Sequence, residues 1–527
     1  MTGPEPLVDA NEHDMRAQSA ALGLAWIESV SDTMLDPELV AEIPVEWARS
    51  NSILPVRGNG DIQLLIASPS TLARQEEVEL ILRRETRPVM ASRTVVQAAI
   101  ERCYYLRRNT AAAMIRGMDD AMPDGNPAMS RRSDDLLQEA QEAPITNLVN
   151  LILLDAVKAR ATDIHFEPFE HHLRIRYRVD GILYEQPAPQ KNLELTLVSR
   201  LKIMAHMDIA EKRLPQDGMA KVRVGEREID IRLSTIPVAE GERVVLRLLN
   251  RESSCLPLAD LGMPPPVYDA LELQIRQPNG LIIVSGPTGS GKTTTLYAAL
   301  GRIDTGRRNV LTIEDPIEYQ LPNIGQMQVH PKIDLTFAVG LRHILRQDPD
   351  VILVGETRDR ETAEIAVRSA LTGHLVFTTL HTNDAASAVV RMTDIGIESY
   401  LLATALRGVV AQRLVRRLCP HCRRQEQADA AVLTRLGPDA AFLREVPMWI
   451  AAGCPACREG YHGRIGIFEM ISVNDAIQDL VWHGGSTVRA LRDAARDQHM
   501  PTLLQDGLTK VKDGLTSLAE VRYTLGN

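Results

Sequence analysis

The sequence predicts an α/β protein built around a mostly parallel sheet, and three observations support this. Between about residues 255 and 415, short apolar runs alternate with segments of helical spacing, as in parallel strands joined by helices. A glycine-rich segment directly follows the first apolar run, and alternating apolar and polar residues upstream indicate two β-hairpins. The predicted core strands are 281–284, 310–313, 351–354 and 375–379.

Length and composition limit the possible classes of protein. A chain of 527 residues corresponds to three or four domains. Hydrophobic residues make up 44% and charged residues 24%, which is typical of a soluble globular protein. The 69 acidic residues exceed the 59 basic ones, giving a net charge of −10. This acidic balance counts against nucleic acid as the main partner.

No apolar run is long enough to span a bilayer, because about 18 residues are needed. The first fifteen residues, MTGPEPLVDANEHDM, are polar and acidic and lack the pattern of a secretory signal. We therefore expect a cytoplasmic protein.

The first 140 residues divide into a small globular domain, 1–108, and a linker, 109–140, rich in Asp, Pro, Gly and Ser. Residues 1–20 are expected to form a loose tail. Within the globular part we predict a strand at 62–66 and helices at 76–84 and 95–105.

A second small α/β domain is predicted over 141–252. Apolar residues alternate with arginines along 173–179 and are followed by Asp180 and Gly181, which indicates a strand and a tight turn. A second hairpin is expected to turn near Gly225, and the helix between the hairpins at 195–204.

The segment GPTGSGKT at 286–293 matches the phosphate-binding pattern GxxxxGK[ST], and it lies between a predicted strand and a predicted helix as that pattern requires. Backbone N–H groups of such a loop surround phosphates. Lys292 should reach the β- and γ-phosphates of ATP, and Thr293 should hold Mg²⁺. The predicted nucleotide-binding residues are Gly286, Pro287, Thr288, Gly289, Ser290, Gly291, Lys292, Thr293 and Thr294.

Acidic residues follow two other core strands. Glu314 ends the run 310–313, and Glu356 follows the run 351–354. Because parallel strands deliver their carboxyl ends to one edge of a sheet, both should lie near the phosphate loop. Either can serve as the general base for the attacking water, and the sequence does not choose between them. His374 and His381 bracket the last core strand, where a histidine can sense a terminal phosphate or be purely structural.

Four of the six cysteines form two CxxC pairs, Cys419 with Cys422 and Cys454 with Cys457. Four thiolates suit a closed tetrahedral Zn²⁺ site with a structural role. A redox dithiol and cysteines without a ligand are the alternatives. The spacing between the pairs predicts a helical insert, and Cys103 and Cys255 are expected to be ordinary buried thiols.

Together these motifs resemble the type II secretion ATPases, the E components, and the related type IV pilus extension ATPases. TIEDPIEY at 312–319 resembles the Asp box of that family, RQDPDVILVGETRD at 346–359 its Walker B segment, and LTGHLVFTTLHTNDA at 371–385 its His box. The upstream segments DIHFEP, LRIRYRVDG, RLPQDG and GERVVLRLL also match, over about 141–500 in all.

The resemblance implies a RecA-like P-loop ATPase core at 255–415, a preceding PAS-like α/β domain at 141–252, and an N-terminal α/β domain that docks a partner. A Cys₄ zinc module at 416–470 and a helical region at 471–527 would follow. It also implies a catalytic role for His381 and for Arg232 and Arg247, which would reach the nucleotide from the second domain. Further basic positions of the family fall on Arg342, Arg346 and Arg358. One departure is Met219, where the family usually has arginine after QDG.

The function that the resemblance implies is a homo-hexameric motor that couples ATP hydrolysis to pseudopilus assembly and protein secretion. Its expected partners are the cytoplasmic domain of an inner-membrane secretion component and an inner-membrane platform protein, with no nucleic acid. A type IV pilus extension ATPase is the alternative. Two other hypotheses are a nucleic-acid translocase, disfavoured by the acidic charge and the 4% aromatic content, and an ATP-binding protein without turnover.

Overall fold

The computed structural model describes residues 16, 18–31, 33–40, 43–58, 61–106, 144–224, 227–250, 256–427, 429–444, 446–484 and 487–526. They belong to two compact units, Met1–Asn250 and Arg251–Asn527. The predicted linker at 109–140, most of the predicted tail, the turn at Gly225 and the thiol of Cys255 lie outside the described residues.

The first domain of the first unit contains a four-stranded mixed sheet with the order β1–β4–β3–β2, in which β2 and β3 are antiparallel. The predicted strand at 62–66 and both predicted helices are confirmed. The strands are β1 Ala25–Trp26, β2 Ile53–Arg57, β3 Ile62–Ile66 and β4 Arg87–Met90. The helices are α1 Val45–Asn51, α2 Gln75–Leu82 and α3 Arg93–Leu106.

The second domain is a six-stranded antiparallel sheet with the order β7–β6–β5–β10–β9–β8. Its strands are β5 Ala161–Pro168, β6 Leu173–Val179, β7 Ile182–Gln186, β8 Gln216–Val224, β9 Arg227–Val238 and β10 Gly241–Asn250. Its helices are α4 Pro144–Lys158 and α5 Glu194–Met204, and their apolar residues share one buried core with the sheet.

The predicted strand at 173–179 is confirmed as β6. Its apolar residues are buried and its arginines are not, as the alternation in the sequence indicates. Asp180 and Gly181 form the turn to β7 with φ of 50° and 91°, the left-handed values that a tight hairpin requires.

The second unit is built on a seven-stranded sheet with the order β13–β12–β14–β15–β11–β16–β19. All neighbours are parallel except β16 and β19. The strands are β11 Gly280–Ser285, β12 Val310–Glu314, β13 Gly325–Gln328, β14 Val351–Val354, β15 Leu375–Leu380, β16 Leu406–Leu418 and β19 Tyr461–Ser472. The predicted α/β class with a mostly parallel sheet is confirmed, and the four predicted core strands are β11, β12, β14 and β15.

Helices flank this sheet and complete two buried clusters with it. They are α6 Pro265–Ile275, α7 Lys292–Leu300, α8 Phe337–Ile344, α9 Arg360–Leu371, α10 Ala385–Asp394 and α11 Ser399–Ala405. Short helices follow β19, as predicted for the C-terminal region: α13 Asp475–Trp482, α14 Val488–Arg496, α15 Leu503–Lys512 and α16 Leu518–Leu525.

The cysteine segment is an insertion between the last two strands of the core sheet. It contains α12 Ala430–Arg435 and a two-stranded ribbon of β17 Arg424–Glu426 and β18 Met448–Ile450, so the predicted helical insert is present. The predicted boundary at residue 415 falls inside β16, because β16 continues past the sheet edge while still paired with β19. In the part of the chain that the structure describes, no helix has the length and apolarity needed to cross a membrane.

Candidate nucleotide site and metal centre

The glycine-rich loop follows the carboxyl end of β11, and α7 begins at Lys292 directly after it. β11 is buried throughout, since it lies inside the sheet between β15 and β16. The adjacent parallel strands β12 and β14 end at Glu314 and just before Glu356. Both predicted acids therefore lie at the sheet edge where the loop lies, as expected for this class of fold.

Gly286 is held close to its neighbours at the start of the loop. With φ of 153°, a Cβ at this position would lie 2.5 Å from the carbonyl oxygen of Gln412 and from Oγ of Ser290. Gln412 also donates from Nε2 to the carbonyl oxygen of Ser290 at 2.6 Å. Strand β16 therefore fixes the loop from one side, and a side chain at 286 would displace it.

Lys292 bends over the loop that precedes it. Its Nζ donates to the carbonyl oxygens of Gly286 at 2.8 Å and Pro287 at 3.1 Å. Burial lowers the pKa of Lys292, the charge of Glu356 opposes that effect, and Arg413 adds to it. A desolvated ammonium above a glycine-rich loop attracts an anion strongly, because water screens it less.

Glu356 has two cationic or potentially cationic neighbours. Its Oε1 lies 3.1 Å from Nε2 of His381, and its Oε2 accepts from the guanidinium of Arg358 at 2.7 Å. Burial raises the pKa of Glu356, but the Arg358 hydrogen bond and the charges of His381, Arg358 and Lys292 together lower it below its usual value. The carboxylate is therefore ionised at neutral pH, as a general base or a water-orienting group must be.

His381 lies at the end of β15, where the sequence predicted it. Burial lowers the pKa of His381, and the charge of Lys292 lowers it further. Glu356 raises this pKa, but the net effect is a pKa below the usual value. The imidazole is thus mostly neutral at pH 7 and can donate one hydrogen bond to Glu356. His374 lies at the other end of the same strand, where its Nδ1 is 2.9 Å from the carbonyl oxygen of Ser369.

Glu314 is in a different environment. It is buried, and its carboxylate accepts from the hydroxyl of Tyr297, from Oγ1 of Thr312 at 2.5 Å and from Nε2 of Gln326 at 3.1 Å. Tyr297 belongs to α7, so this network joins the helix after the phosphate loop to β12 and β13. Burial and the neighbouring Glu314 both raise the pKa of Tyr297, which keeps its proton in the bond to Glu314.

Three further arginines were expected to be basic positions of the site, and they have different partners. Arg358 binds Glu356 directly. Arg342 pairs with Glu361 at 2.5 Å, and Arg346 lies 3.3 Å from Nδ1 of His343. Of the three, Arg358 alone contacts a candidate catalytic side chain in the described residues.

Arg232 and Arg247 belong to the first unit, on neighbouring strands β9 and β10. They are directly opposite each other in the antiparallel register, and Met219 of β8 is opposite Arg232 on its other side. Arg247 also pairs with Asp163 at 3.0 Å. Arg247, Arg232 and Met219 therefore lie in one row across three strands. Met219, the residue that stands where the family usually has arginine, is 59% exposed.

Two residues beside the phosphate loop, Gln412 and Arg413 of β16, were not predicted from the sequence. Gln412 binds the loop, and Arg413 donates to Oδ1 of Asn383 at 2.8 Å. The available signal was weak: β16 carries five polar residues, and nothing in their spacing sets Gln412 and Arg413 apart from Arg407, Arg416 and Arg417. Both residues lie beside the loop because β16 is the neighbour of β11, and the order of the strands cannot be read from the sequence.

The four paired cysteines converge, with all Sγ atoms within 4.8 Å of one another. The Sγ–Sγ distances are 3.9 Å for Cys419–Cys454, 3.7 Å for Cys422–Cys457 and 3.5 Å for Cys454–Cys457. Four thiolates at tetrahedral Zn–S distances of about 2.3 Å would lie about 3.8 Å apart. The donor set therefore fits a closed tetrahedral metal centre. Cys103 is a buried thiol elsewhere in the chain, as predicted.

A phosphate loop between a buried parallel strand and a helix, with an ionised glutamate beside its lysine, defines a P-loop ATPase. The family model described as "Type II/IV secretion system protein" matches residues 138–523, and the chain belongs to that family. A second model, the MshEN domain, matches residues 22–110.

Relatives are similar over most of their length. The type II secretion system protein HxcR of Pseudomonas aeruginosa is 50% identical over 423 residues, 79% of this chain and 85% of that protein. The type II secretion system ATPase E of Vibrio cholerae is 50% identical over 391 residues, 74% of this chain and 77% of that protein. The crystal structure of the Legionella pneumophila ATPase DotB shares the fold, with a TM-score of 0.54 and 21% identity over 72% of this chain and 95% of that one.

Proposed function

We propose that this secretion-family ATPase is a hexameric motor that couples ATP hydrolysis to domain motion, and so drives pseudopilus assembly and protein secretion through a type II secretion system. The observation that carries the proposal is the contact set of Glu356, which binds His381 and Arg358 and lies within electrostatic range of Lys292. The names of the relatives support type II secretion over the alternative, a type IV pilus extension ATPase.

In this proposal the phosphate loop, residues 286–294, binds ATP and Lys292 neutralises its β- and γ-phosphates. Thr293, in the first turn of α7, offers the hydroxyl that would hold Mg²⁺, which neutralises phosphate charge when bound. Glu356 is the proposed general base, because it is ionised and near Lys292, whereas the carboxylate of Glu314 already accepts from three internal donors. His381 orients Glu356 and responds to the terminal phosphate.

We further propose that Arg232 and Arg247 contact the nucleotide from the second domain and complete the site in a ring. A guanidinium stabilises charge on the transferring phosphoryl group and loses its partner when that phosphate leaves. Their position side by side on β9 and β10 supports a joint role. Hydrolysis would then change the contacts between domains, and the ring would deliver that change as mechanical work.

The remaining roles are structural or concern partners. The cysteine centre would hold one Zn²⁺ that fixes the insertion between β16 and β19. The N-terminal domain would dock the cytoplasmic domain of an inner-membrane secretion component, and the ring would act on an inner-membrane platform protein. The protein would then be cytoplasmic and attached to the inner membrane only through its partners.

The test is steady-state phosphate release by the purified full chain, with and without the N-terminal domain's membrane partner. The proposal predicts ATP-dependent turnover that the partner stimulates and that duplex or single-stranded DNA does not. Stimulation by DNA together with salt-dependent DNA binding would favour a nucleic-acid translocase instead. Nucleotide binding without phosphate release would favour a regulatory ATP-binding protein.

A further inference from the structure

Arg413 is on β16 at the level of the phosphate loop. β16 pairs in parallel with β11 up to the pair Ser285–Ala411, and then continues beside the loop. The next residue, Gln412, already binds the loop at Ser290. Arg413 directly follows Gln412, and its charge acts on Lys292.

The guanidinium of Arg413 is half-buried and has a neutral partner. It donates to the amide oxygen of Asn383, while its Nε–H is buried without a hydrogen-bond partner in the described part of the chain. No carboxylate oxygen within the described residues forms an ion pair with it. The charge of Asp384 acts on Arg413 from a longer distance, but that carboxylate binds Ser387 and Arg492. A desolvated cation without an anionic partner is costly unless a ligand supplies one.

At this edge of the sheet two partly buried cations, Lys292 and Arg413, lie within electrostatic range of each other. Burial lowers the pKa of Arg413, and burial likewise lowers that of Lys292, on which the charge of Arg413 also acts. Glu356 is the acid whose charge acts on Lys292, and it already binds Arg358 and His381. A ligand with several negative charges on adjacent groups, such as a triphosphate, would pair with both Lys292 and Arg413.

The position of Asn383, the hydrogen-bond partner of Arg413, indicates which end of that ligand Arg413 contacts. Asn383 is two residues beyond His381, on the connection between β15 and α10. His381 contacts Glu356, the proposed base, which must face the terminal phosphate to activate water there. We propose that Arg413 binds the terminal phosphate of ATP from within the same chain, as a second cation beside Lys292. This inference rests on the nucleotide site proposed above.

The experiment compares equilibrium binding of ADP and of a non-hydrolysable ATP analogue to the full chain. Arg413→Gln should weaken binding of the analogue about tenfold or more, the range for a lost charge-assisted hydrogen bond, and should change ADP binding by less than about twofold. Arg413→Lys keeps the charge and should recover part of the loss. The matched control is Arg407→Gln, at the start of the same strand, where Arg407 donates to the carbonyl oxygen of Thr404; it should leave both affinities unchanged.

Two results would contradict the role of Arg413. Unchanged binding of the analogue by Arg413→Gln would overturn the proposal, and equal weakening of ADP and analogue would overturn the assignment to the terminal phosphate. Thermal unfolding without nucleotide verifies that the variants fold; if Arg413→Gln does not fold, the ratio of the two affinities in Arg413→Lys decides in the same way. If the wild-type chain bound neither nucleotide, the proposed nucleotide site itself would be wrong.

Discussion

At the residue scale, Glu314 and Glu356 show how two identical side chains come to have different surroundings. The three donors to Glu314 come from α7, β12 and β13, so this carboxylate joins elements of the fold. Glu356 instead meets one arginine and one histidine at the open edge of the sheet. A buried, fully bonded carboxylate stabilises structure, whereas a partly exposed, ionised one is available to water.

Lys292→Ala should abolish ATP turnover while the chain still folds. The backbone of the loop is unchanged, but the ammonium that would neutralise the phosphates is lost. We expect kcat to fall at least about 100-fold, measured by phosphate release, with an unchanged unfolding temperature. Lys332→Ala, which removes an exposed lysine after β13, is the control. Substantial activity in Lys292→Ala would show that the phosphate-loop assignment is wrong.

Glu356→Gln and Glu314→Gln should differ in what they damage. Glu356→Gln removes the proposed base, so kcat should fall at least about 100-fold while nucleotide affinity changes little. Glu314→Gln replaces one accepting oxygen with an NH₂ group that faces the donors of the network, so hydrogen bonds are lost. The free energy of unfolding should therefore fall by about 1–3 kcal/mol. Phosphate release and denaturant unfolding separate the two effects. A fully stable Glu314→Gln chain without turnover would reverse the assignment of the base.

The pH dependence of turnover follows from the lowered pKa values of Glu356 and His381. A carboxyl group with a lowered pKa stays ionised as the pH falls, and an imidazole with a lowered pKa stays mostly neutral below its usual 6.5. Neither group changes charge substantially between pH 8 and about pH 7. We therefore expect kcat at saturating ATP to vary less than about twofold over that range. A clear fall centred near pH 7 that disappears in His381→Gln would contradict this.

At the element scale, the insertion between β16 and β19 depends on its own local contacts. The two strands run antiparallel, with a register shift near Leu418. The cysteine pairs occur where this ladder ends, and the N–H of Cys454 lies 3.3 Å from Sγ of Cys457. Such N–H···S contacts orient thiolates for a metal. A short segment with a small core gains much of its stability from a metal of this kind.

Purified protein should therefore contain about one zinc per chain. Cys454→Ser should lose most of that zinc and lower the unfolding temperature, because three thiolates hold the ion less well, yet it removes no candidate catalytic group. Elemental analysis and thermal unfolding measure the two effects. Cys103→Ala, which changes a buried thiol of the N-terminal domain, should keep its zinc. Absence of zinc from wild-type protein prepared without chelators would contradict the prediction.

At the scale of the whole molecule, the candidate chemistry is divided between the two units. The phosphate loop, Glu356 and His381 belong to the second unit, whereas Arg232 and Arg247 belong to the first. If the arginines complete the site only in a ring, a dilute chain hydrolyses ATP poorly. Specific ATPase activity should then rise with protein concentration as oligomers form, which phosphate release and light scattering measure in parallel. Constant specific activity across the transition from monomer to oligomer would exclude the ring mechanism.

Arg232→Ala or Arg247→Ala should lower kcat and leave nucleotide affinity largely intact, since the loop that binds the nucleotide lies in the other unit. Arg247 also pairs with Asp163, so its variant requires a stability measurement as well. Arg223→Ala, on the exposed side of β8, is the matched control. Full activity in both arginine variants would remove these residues from the mechanism.

The sequence by itself determined the features that depend on short-range pattern. Lys292 was recognisable because a phosphate loop is a continuous segment between a strand and a helix, and the cysteine pairs because their spacing is that of a metal site. The strands of the core sheet followed from their continuous apolar runs, since parallel strands are buried on both faces.

Only the tertiary structure distinguished Glu356 from Glu314 and drew attention to Gln412 and Arg413. Their surroundings depend on which strands are neighbours: β16 lies beside β11 although more than 100 residues separate them, and Tyr297 of α7 reaches the end of β12. The same applies to Met219, whose place opposite Arg232 follows from the register of β8 and β9. Local periodicity specifies which segments become strands, but the order and register of those strands come from packing between distant parts of the chain.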